Sequence, residues 1–200
     1  MSRTEEKAQT ILWVEKATDG NRFALEQLAD LFQEDIFRMV YYRTQSAMDA
    51  EDITQEIFIQ AFSNLSGLKS ADRFKSWLFT IAVNKVRDYH RKRRLQKFLG
   101  PFSDDKEKSI QANPETPENP DALDNLIRQD FWKQVKSLLD RLPRMEREVF
   151  TLRFMDHLSI KEISRILKKG ESTVKTHLYR ALKKFKKEPS MREFLKEDTI

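Results

Sequence analysis

The stretch "LSIKEISRILKKGESTVKTHLYRALKKFKK", residues 158–187, contains two short amphipathic segments separated by one glycine. Ser159 is placed to cap the first segment, and Glu162 stands at the third helical position, as in a capping box. Gly170 can adopt the left-handed conformation that often ends a helix. Ser172 can then cap the second segment. The spacing predicts a helix, a very short turn and a second helix, which is the geometry of helix-turn-helix DNA readers.

The second of these helices has one apolar face and one polar face. At about 100° per residue, the inward positions are Val174, Leu178, Ala181, Leu182 and Phe185. The outward positions are Thr173, Thr176, Arg180 and Lys183, flanked by Lys175 and Tyr179. Hydroxyls near a helix start can reach base edges, and longer cations behind them can contact phosphates. The alternative is a solvated lysine face on an ordinary packing helix, although Glu171 is the only acid between residues 168 and 187.

Composition limits the class of protein. The 200 residues are 39% hydrophobic and 34% charged, with four glycines and a net charge of +5, which favours a helical globular protein with a polyanionic partner. The chain has no cysteine, which excludes disulfides, thiol catalysis and thiolate metal sites. The first residues, "MSRTEEKAQTILWVEK", are too acidic for a signal peptide. With no apolar run of about 18 residues, we expect a soluble cytoplasmic protein without a cofactor or metal.

Helical periodicity runs along most of the chain, and no alternating strand pattern interrupts it. Helices are predicted at about 5–18, 22–43, 50–65, 72–97, 126–140, 144–155, 159–168 and 172–187. Residues 100–125 hold four of the six prolines and are mostly acidic or polar, which is typical of a flexible tether. The sequence therefore predicts an all-α protein with helical domains at residues 1–98 and 126–187, a flexible linker at 99–125 and an unassigned tail at 188–200.

The segment "RFKSWLFTIAVNKVRDYHRKRRLQK", residues 73–97, is a second basic element. Its apolar face comprises Phe74, Trp77, Leu78, Ile81, Ala82 and Tyr89. Its other side carries a polar stripe of Thr80, Asn84, Arg87 and Arg91 that continues into "RKRR". Asparagine and arginine can hydrogen-bond bases as well as phosphates, which favours nucleic-acid binding. The alternative is a basic helix end stabilised by its own dipole.

The preceding segment, "DAEDITQEIFIQAF" at residues 49–62, has an acidic outer face. Asp49 is placed to cap this helix, and Ile53, Ile57 and Ala61 face inward. The outward positions are Asp52, Gln55, Glu56 and Ile59. An apolar side chain ringed by carboxylates suits docking of a basic protein. A single exposed isoleucine is also ordinary on any surface, so both explanations stay open.

Four elements follow one another along the chain. They are the acidic helix, the basic helix "FKSWLFTIAVNKVRDYHRKRR", the proline-rich segment and the stretch "LPRMEREVFTLRFMDHLSIKEISRILKKGESTVKTHLYRALKKFKK". In that order they resemble the extracytoplasmic-function (ECF) sigma factors, small two-domain members of the bacterial sigma-70 family. The resemblance covers roughly residues 10–98 and 126–187. It implies a protein that binds core RNA polymerase, directs it to promoters and helps to open the DNA. The "KKGES" turn is more polar than in many members of the family.

The resemblance also implies roles for individual residues. The segment that docks on the clamp of the largest polymerase subunit corresponds to Asp49, Asp52, Gln55, Glu56 and Ile59. The −10 element corresponds to Lys69 and Ser70 in the loop "SGLKSADR" and to Asn84, Arg87 and Arg91. The −35 element corresponds to Ser172, Thr173, Lys175, Thr176 and Arg180. Further implied partners are promoter DNA, the flap of the second-largest polymerase subunit and an anti-sigma factor, which could hold the protein at the inner membrane face.

Two other classes of protein remain as alternatives. One is a helix-turn-helix regulator that binds duplex DNA without melting it, but a receiver domain would need an α/β pattern that the N-terminal half lacks. The other is a metal-dependent helical enzyme. Its site would need converging histidines and carboxylates, whereas His90, His157 and His177 stand alone in the sequence.

Overall fold

The computed structural model describes residues 3–99 and 135–187, which are all-helical without a strand, as the sequence predicts. The helices are α1 (Arg3–Thr18), α2 (Arg22–Thr44), α3 (Ala47–Ser63), α4 (Phe74–Leu99), α5 (135–141), α6 (Arg144–Phe154), α7 (Ile160–Leu167) and α8 (Glu171–Phe185). Two 3-10 turns, Leu65–Gly67 and Ala71–Arg73, lie between α3 and α4. The predicted linker from residue 100 onward, the first residues of the helix predicted at 126–140 and the tail at 188–200 lie outside the described residues.

The short connections between the first three helices follow from local capping chemistry. Gly20 has a φ of 87°, which ends α1 in the left-handed conformation that glycine tolerates. Asn21 then caps α2 by accepting the Ala24 N–H at 3.1 Å. Ser46 caps α3 by accepting the Asp49 N–H at 3.3 Å. The prediction that Asp49 is the cap is therefore wrong, because α3 begins three residues earlier than the apolar periodicity indicates.

Helix α4 is buried on more of its circumference than its sequence indicates. Phe74, Leu78, Ile81 and Ala82 are buried, as the apolar face predicts, while Trp77 and Tyr89 are half-buried. Phe79, Val83 and Val86 are also buried, although they lie beside the predicted polar stripe rather than on the predicted core face. A second set of elements therefore covers α4 on the side away from α2 and α3.

The helix pair α7–α8 follows the capping prediction at its start and departs from it at the turn. Ser159 and Glu162 form the predicted capping box, with Glu162 Oε2 accepting the Ser159 N–H at 2.7 Å. Lys168, not Gly170, takes the left-handed conformation, with a φ of 52°. Gly170 instead occupies the cap position of α8, and Ser172 is the second residue of the helix. Both capping predictions at this turn are wrong, because α7 ends and α8 begins before the positions that the glycine and serine suggested.

The inner face of α8 packs as predicted. Val174, Ala181 and Phe185 are buried, and Leu178 and Leu182 are half-buried. The rings of Phe150 and Phe185 stack with centroids 4.1 Å apart, which joins α6 to α8. This stack lies in a small core with Val135, Leu142 and Ala181.

A larger core runs through both described ranges. It holds the buried residues of α1 to α4 together with Val149, Leu152, Leu158, Ile163, Ile166, Leu167 and Val174. Helix α7 packs against α4. At the edge of this contact the Arg43 guanidinium donates to the Asp156 carboxylate at 2.6 Å, and the Asp156 side chain is only 1% exposed. The C-terminal helices are therefore the elements that cover the second side of α4.

Candidate nucleic-acid interface

The outward face of α8 is a continuous polar surface. All five residues predicted for the −35 element are exposed: Ser172, Thr173, Lys175, Thr176 and Arg180. Thr176 donates its hydroxyl hydrogen to the Ser172 carbonyl at 2.9 Å, so its oxygen can still accept a hydrogen bond. A neighbouring cation, Lys184, is about half exposed and pairs with the buried Glu146 carboxylate of α6 at 2.7 Å. On this helix Lys184 is therefore paired with α6, whereas the five predicted residues are exposed on the outward face.

Tyr179 belongs to the same outward surface, although the predicted set of contact residues omits it. Its side chain is 68% exposed, between Lys175 and Lys183 on the helix face. A tyrosine ring can lie against the sugar or the thymine methyl group, and its hydroxyl can bind phosphate. The helical wheel places Tyr179 beside the outward face, so the sequence carried a signal for this residue.

The polar stripe of α4 is only partly free. Asn84 and Arg91 are exposed, and Arg91 forms an ion pair with Asp88 at 3.1 Å on its own helix. Arg87 is half-buried and lies 3.8 Å from the Glu148 carboxylate of α6. The three predicted residues therefore share one side of α4, but one of them is engaged by the C-terminal helices.

The loop before α4 presents the other two residues predicted for the −10 element. Lys69 and Ser70 are both exposed. The Ser70 hydroxyl donates a short hydrogen bond to the Asp72 carboxylate. That bond, together with the positive charge of Arg165 on α7, holds the pKa of Asp72 below its usual range. Ser70 is thus held in position by the carboxylate two residues later in the chain, and Lys69 beside it extends from the exposed side of the loop.

The acidic face of α3 is exposed as the sequence predicts. Asp52, Gln55, Glu56 and Ile59 lie on it together, and the Ile59 side chain is 67% exposed. The Glu56 carboxylate accepts a 2.7 Å ion pair from Lys85 of α4. An exposed apolar side chain among carboxylates is the chemistry expected of a surface that docks a basic protein.

Asp49 is separated from this acidic face. Its carboxylate points towards α4 and accepts the Tyr89 hydroxyl at 2.9 Å. Burial raises the pKa of Tyr89 above its usual value, and the hydrogen bond and charge of Asp49 raise it further. The structure therefore brings four of the five predicted docking residues together and places Asp49 in a contact between α3 and α4.

Two further kinds of feature were sought in the described ranges, a metal-binding cluster and a membrane-spanning helix. Within residues 3–99 and 135–187, no three side chains of His, Cys, Asp or Glu are grouped closely enough to hold a metal ion. None of the helices in these ranges combines the length and hydropathy needed to span a bilayer.

Comparison with known proteins identifies the family of the two segments that carry these surfaces. Residues 28–96, which include α3 and α4, match the family model described as Sigma-70 region 2. Residues 132–185, which include α6 to α8, match Sigma-70, region 4. A probable RNA polymerase sigma factor of Haemophilus influenzae is 31% identical over 140 residues, which are 66% of this chain and 72% of that protein. The chain belongs to the sigma-70 family.

Relatives place this sigma-70 protein among the ECF sigma factors. The ECF sigma factor SigW of Bacillus subtilis is 27% identical over 88% of this chain and 94% of its own length. The ECF sigma factor BldN of Streptomyces coelicolor is 32% identical over 89% of this chain and 65% of its own length. These matches favour a sigma factor over a helix-turn-helix regulator that acts on closed duplex DNA.

Solved structures share the fold of this ECF sigma factor. CnrH, in complex with the cytosolic domain of CnrY, matches with a TM-score of 0.63 and 23% identity over 96% of this chain and 99% of the CnrH chain. The sigma factor RpoE of Bartonella quintana, in complex with the anti-sigma factor NepR, matches with a TM-score of 0.58 and 21% identity over 87% and 98%. The helical architecture is thus that of sigma factors of similar length.

Proposed function

We propose that this chain binds core RNA polymerase, directs it to promoters with −35 and −10 elements, and promotes opening of the DNA. One observation carries the proposal. An exposed acidic face on α3 and an exposed cationic face on α8 lie in the two segments that match sigma-70 regions 2 and 4. A protein that bridges a basic protein surface and DNA needs both charges, kept apart from each other.

The acidic face of α3 is proposed to dock on the clamp of the largest polymerase subunit. Asp52, Gln55 and Glu56 would meet basic groups there, and Ile59 would enter an apolar contact. Asp49 would act mainly by holding α3 against α4, because Tyr89 already occupies its carboxylate. The C-terminal helices are proposed to contact the flap of the second-largest subunit.

The outward face of α8 is proposed to read the −35 element in the major groove. Ser172, Thr173 and Thr176 lie towards the start of the helix, where side chains reach base edges in helix-turn-helix complexes. Arg180 and Lys175 would contact a base edge or phosphates. A good bidentate contact to a base contributes about 1–3 kcal/mol of discrimination.

The loop at Lys69 and Ser70 and the α4 stripe of Asn84, Arg87 and Arg91 are proposed to bind the −10 element. Extruding one base from the stack costs a few kcal/mol. Stacking and hydrogen bonding of the extruded base, at about 1–3 kcal/mol per stacked base, can offset this cost. The chain would promote opening because its complex with polymerase binds melted promoter DNA more tightly than closed duplex DNA. No covalent step is assigned to it.

The same activity implies two DNA-binding units, a cytoplasmic location and one further protein partner. Residues 1–98 and 126–187 would act as the two DNA-binding units, joined through 99–125, in the cytoplasm where polymerase and promoter meet. The sigma factor RpoE named above is held by an anti-sigma factor. A protein of that class is therefore proposed to bind this chain and restrain its activity, and it could tether the chain to the membrane.

Transcription in vitro tests the proposal directly. Purified core polymerase, the purified chain and a library of templates with randomised upstream sequence would be incubated, and the transcribed templates sequenced. We expect two enriched motifs at a constant separation, absent with core polymerase alone. Absence of chain-dependent transcripts, together with binding of the free chain to duplex DNA, would favour the regulator instead.

A further inference from the structure

A cleft lies between the end of α5 and the end of α8, among residues that the proposed DNA contacts do not use. Its volume is about 220 Å³, and its lining combines apolar and cationic side chains: Leu138, Arg141, Leu142, Lys184, Phe185 and Lys187. The apolar members belong to the small core of the C-terminal helices, where Leu142 and Phe185 are buried and Leu138 is half-buried. The cationic members are exposed. The cleft therefore has an apolar floor and a positively charged rim.

Neighbouring contacts hold the walls of the cleft in place. The Phe185 ring is stacked on Phe150 with centroids 4.1 Å apart, so it cannot turn into the space without losing this stack. Lys184 is paired with the Glu146 carboxylate at 2.7 Å. An apolar cavity of about 150 Å³ is large enough to bind benzene, so this cleft can hold a phenyl ring. An apolar side chain flanked by acidic groups is therefore the ligand that matches both the floor and the rim.

The chain carries such a group in the segment that begins directly after the cleft. Lys187 lines the cleft, and the next residues are "EPSMREFLKEDTI", 188–200, which lie outside the described residues. We call them the C-terminal segment. Phe194 stands in the middle of this segment, with Leu195 next to it and Met191 three positions before it. Side chains three and four positions apart share one face of a helix, so a helical turn here would group these three apolar residues.

The start of the C-terminal segment favours a change of chain direction followed by a helical turn. Pro189 has no N–H to continue a helix, and it disfavours the helical conformation of the residue before it. Ser190 and Glu193 have the S-x-x-E spacing of a capping box. The same spacing forms a capping box at the start of α7, where Ser159 and Glu162 bind each other. The sequence therefore predicts that a new helical turn begins at Ser190.

Charge and chain length both allow the C-terminal segment to return to the cleft. Phe194 follows Lys187 by seven residues, which span at most about 25 Å when fully extended. The segment holds four acids and two bases, which give it a net charge opposite to that of the rim. The acids are Glu188, Glu193, Glu197 and Asp198, and the bases are Arg192 and Lys196.

We propose that the C-terminal segment folds back onto this cleft, with the Phe194 side chain on the apolar floor and its acids beside Arg141 and Lys187. The docked segment extends the small core past the end of α8 and removes Leu138 from water. The occupant is the chain's own segment, because tethering next to the cleft gives it an effective concentration on the order of millimolar, far above that of a second copy. This contact goes beyond the proposed sigma activity and does not depend on it, since it needs neither polymerase nor DNA.

Methyl NMR of the full chain tests the docking. The ring current of a phenyl group shifts the signals of methyl groups close to it. We therefore expect the Leu138 and Leu142 methyl signals to move in Phe194→Leu, which keeps an apolar side chain but removes the ring. The matched control is Phe23→Leu, whose ring packs edge-on against Trp13 of α1 and which should leave both signals in place.

A spin label measures how much of the segment is docked. The chain has no cysteine, so Thr199→Cys supplies a single attachment site. We expect the label to broaden the Leu138 and Leu142 methyl signals. Adding Phe194→Ala should shift the equilibrium by roughly 10- to 150-fold towards the undocked state, the range for burial of one aromatic side chain. Adding Lys196→Ala, off the predicted apolar face, should leave the broadening unchanged.

Unmoved methyl signals in Phe194→Leu, or no broadening by the label, would overturn the docking. Broadening that appears only when spin-labelled chain is mixed with a second, isotope-labelled chain would assign the cleft to the segment of another copy and would also overturn it. Circular dichroism of each variant checks that the helices are retained. If Phe194→Leu fails to fold, the spin label in the otherwise unchanged chain still decides whether the segment lies at the cleft.

Discussion

Tyr89 on α4 donates its hydroxyl hydrogen to the Asp49 carboxylate on α3 at 2.9 Å. The Arg93 guanidinium in turn donates to the Tyr89 oxygen at 3.1 Å and lies over its ring. A second link, the 2.7 Å ion pair between Glu56 and Lys85, joins the same two helices. The acidic helix proposed to dock on polymerase and the basic helix proposed to bind the −10 element are therefore connected by polar contacts.

Replacing Asp49 with asparagine should lower the pKa of Tyr89. Burial, the first cause of the raised pKa, remains, but the negative charge that further disfavours tyrosinate is lost. Because the pKa is raised, the contribution of this contact to stability is present at neutral pH and is lost as pH rises through the Tyr89 value. The ultraviolet absorbance of tyrosinate during alkaline titration measures the change.

Tyr89→Phe identifies the Tyr89 step among the four tyrosines, and Glu51→Gln is a control on the exposed side of the same helix. An Asp49→Asn protein that titrates like the parent would show that the Asp49–Tyr89 bond is not formed in solution.

Replacing Ser159 with alanine should destabilise the chain by about 1 kcal/mol, because it removes the cap of α7 and one half of the capping box. Ser172→Ala is the matched control. Since Gly170 occupies the cap position of α8, the hydroxyl of Ser172 caps nothing, and its loss should change stability by less than about 0.5 kcal/mol. Urea unfolding followed by circular dichroism compares the two, and equal losses would contradict the assigned helix starts.

Replacing Arg180 with alanine should weaken promoter binding mainly through the −35 element. The side chain is exposed on the outward face of α8, and loss of a base or phosphate contact of about 1–3 kcal/mol corresponds to a roughly 5- to 150-fold loss in affinity. Binding of the polymerase complex to promoters with intact and scrambled −35 elements would be measured at one salt concentration.

Arg22→Ala, on the exposed start of α2, changes the net charge equally and controls for general electrostatic attraction. If Arg180→Ala and Arg22→Ala lose the same affinity on both templates, Arg180 is not a contact specific to the −35 element.

Reversing the charge of Glu56 to lysine should weaken binding to core polymerase by at least tenfold, since a like charge would face the basic partner. The fold should persist, because the ion pair between Glu56 and Lys85 involves a carboxylate side chain that is 60% exposed, and such pairs contribute about 1 kcal/mol or less. Competition for core polymerase against a labelled parent chain measures the effect. Glu26→Lys on α2 has the same charge change on an exposed site and should compete like the parent.

The sequence by itself determined the helical class, the inner faces of α3 and α8, and the capping box of α7. These features depend on residues a few positions apart, so the period of the apolar side chains and the chemistry of Ser159 and Glu162 specify them locally. The same patterns identified the exposed acidic and cationic surfaces, because charged side chains on a helix face opposite a core are placed outward by that core. Helix starts were less secure, as the corrected caps at Ser46 and Gly170 demonstrate, since several polar residues near a helix end can cap it.

The tertiary structure alone decided which polar residues are engaged across the chain. Nothing near Asp156 in the sequence indicates that Arg43, 113 positions away, neutralises it, and nothing in "NKVRD" indicates that Arg87 lies beside Glu148. Burial of Phe79, Val83 and Val86 likewise depends on helices that come more than fifty residues later. Such contacts arise because folding packs helices that are distant in sequence against one another. A charge removed from water in that packing is destabilising unless an opposite charge lies beside it, and the partner can come from any part of the chain.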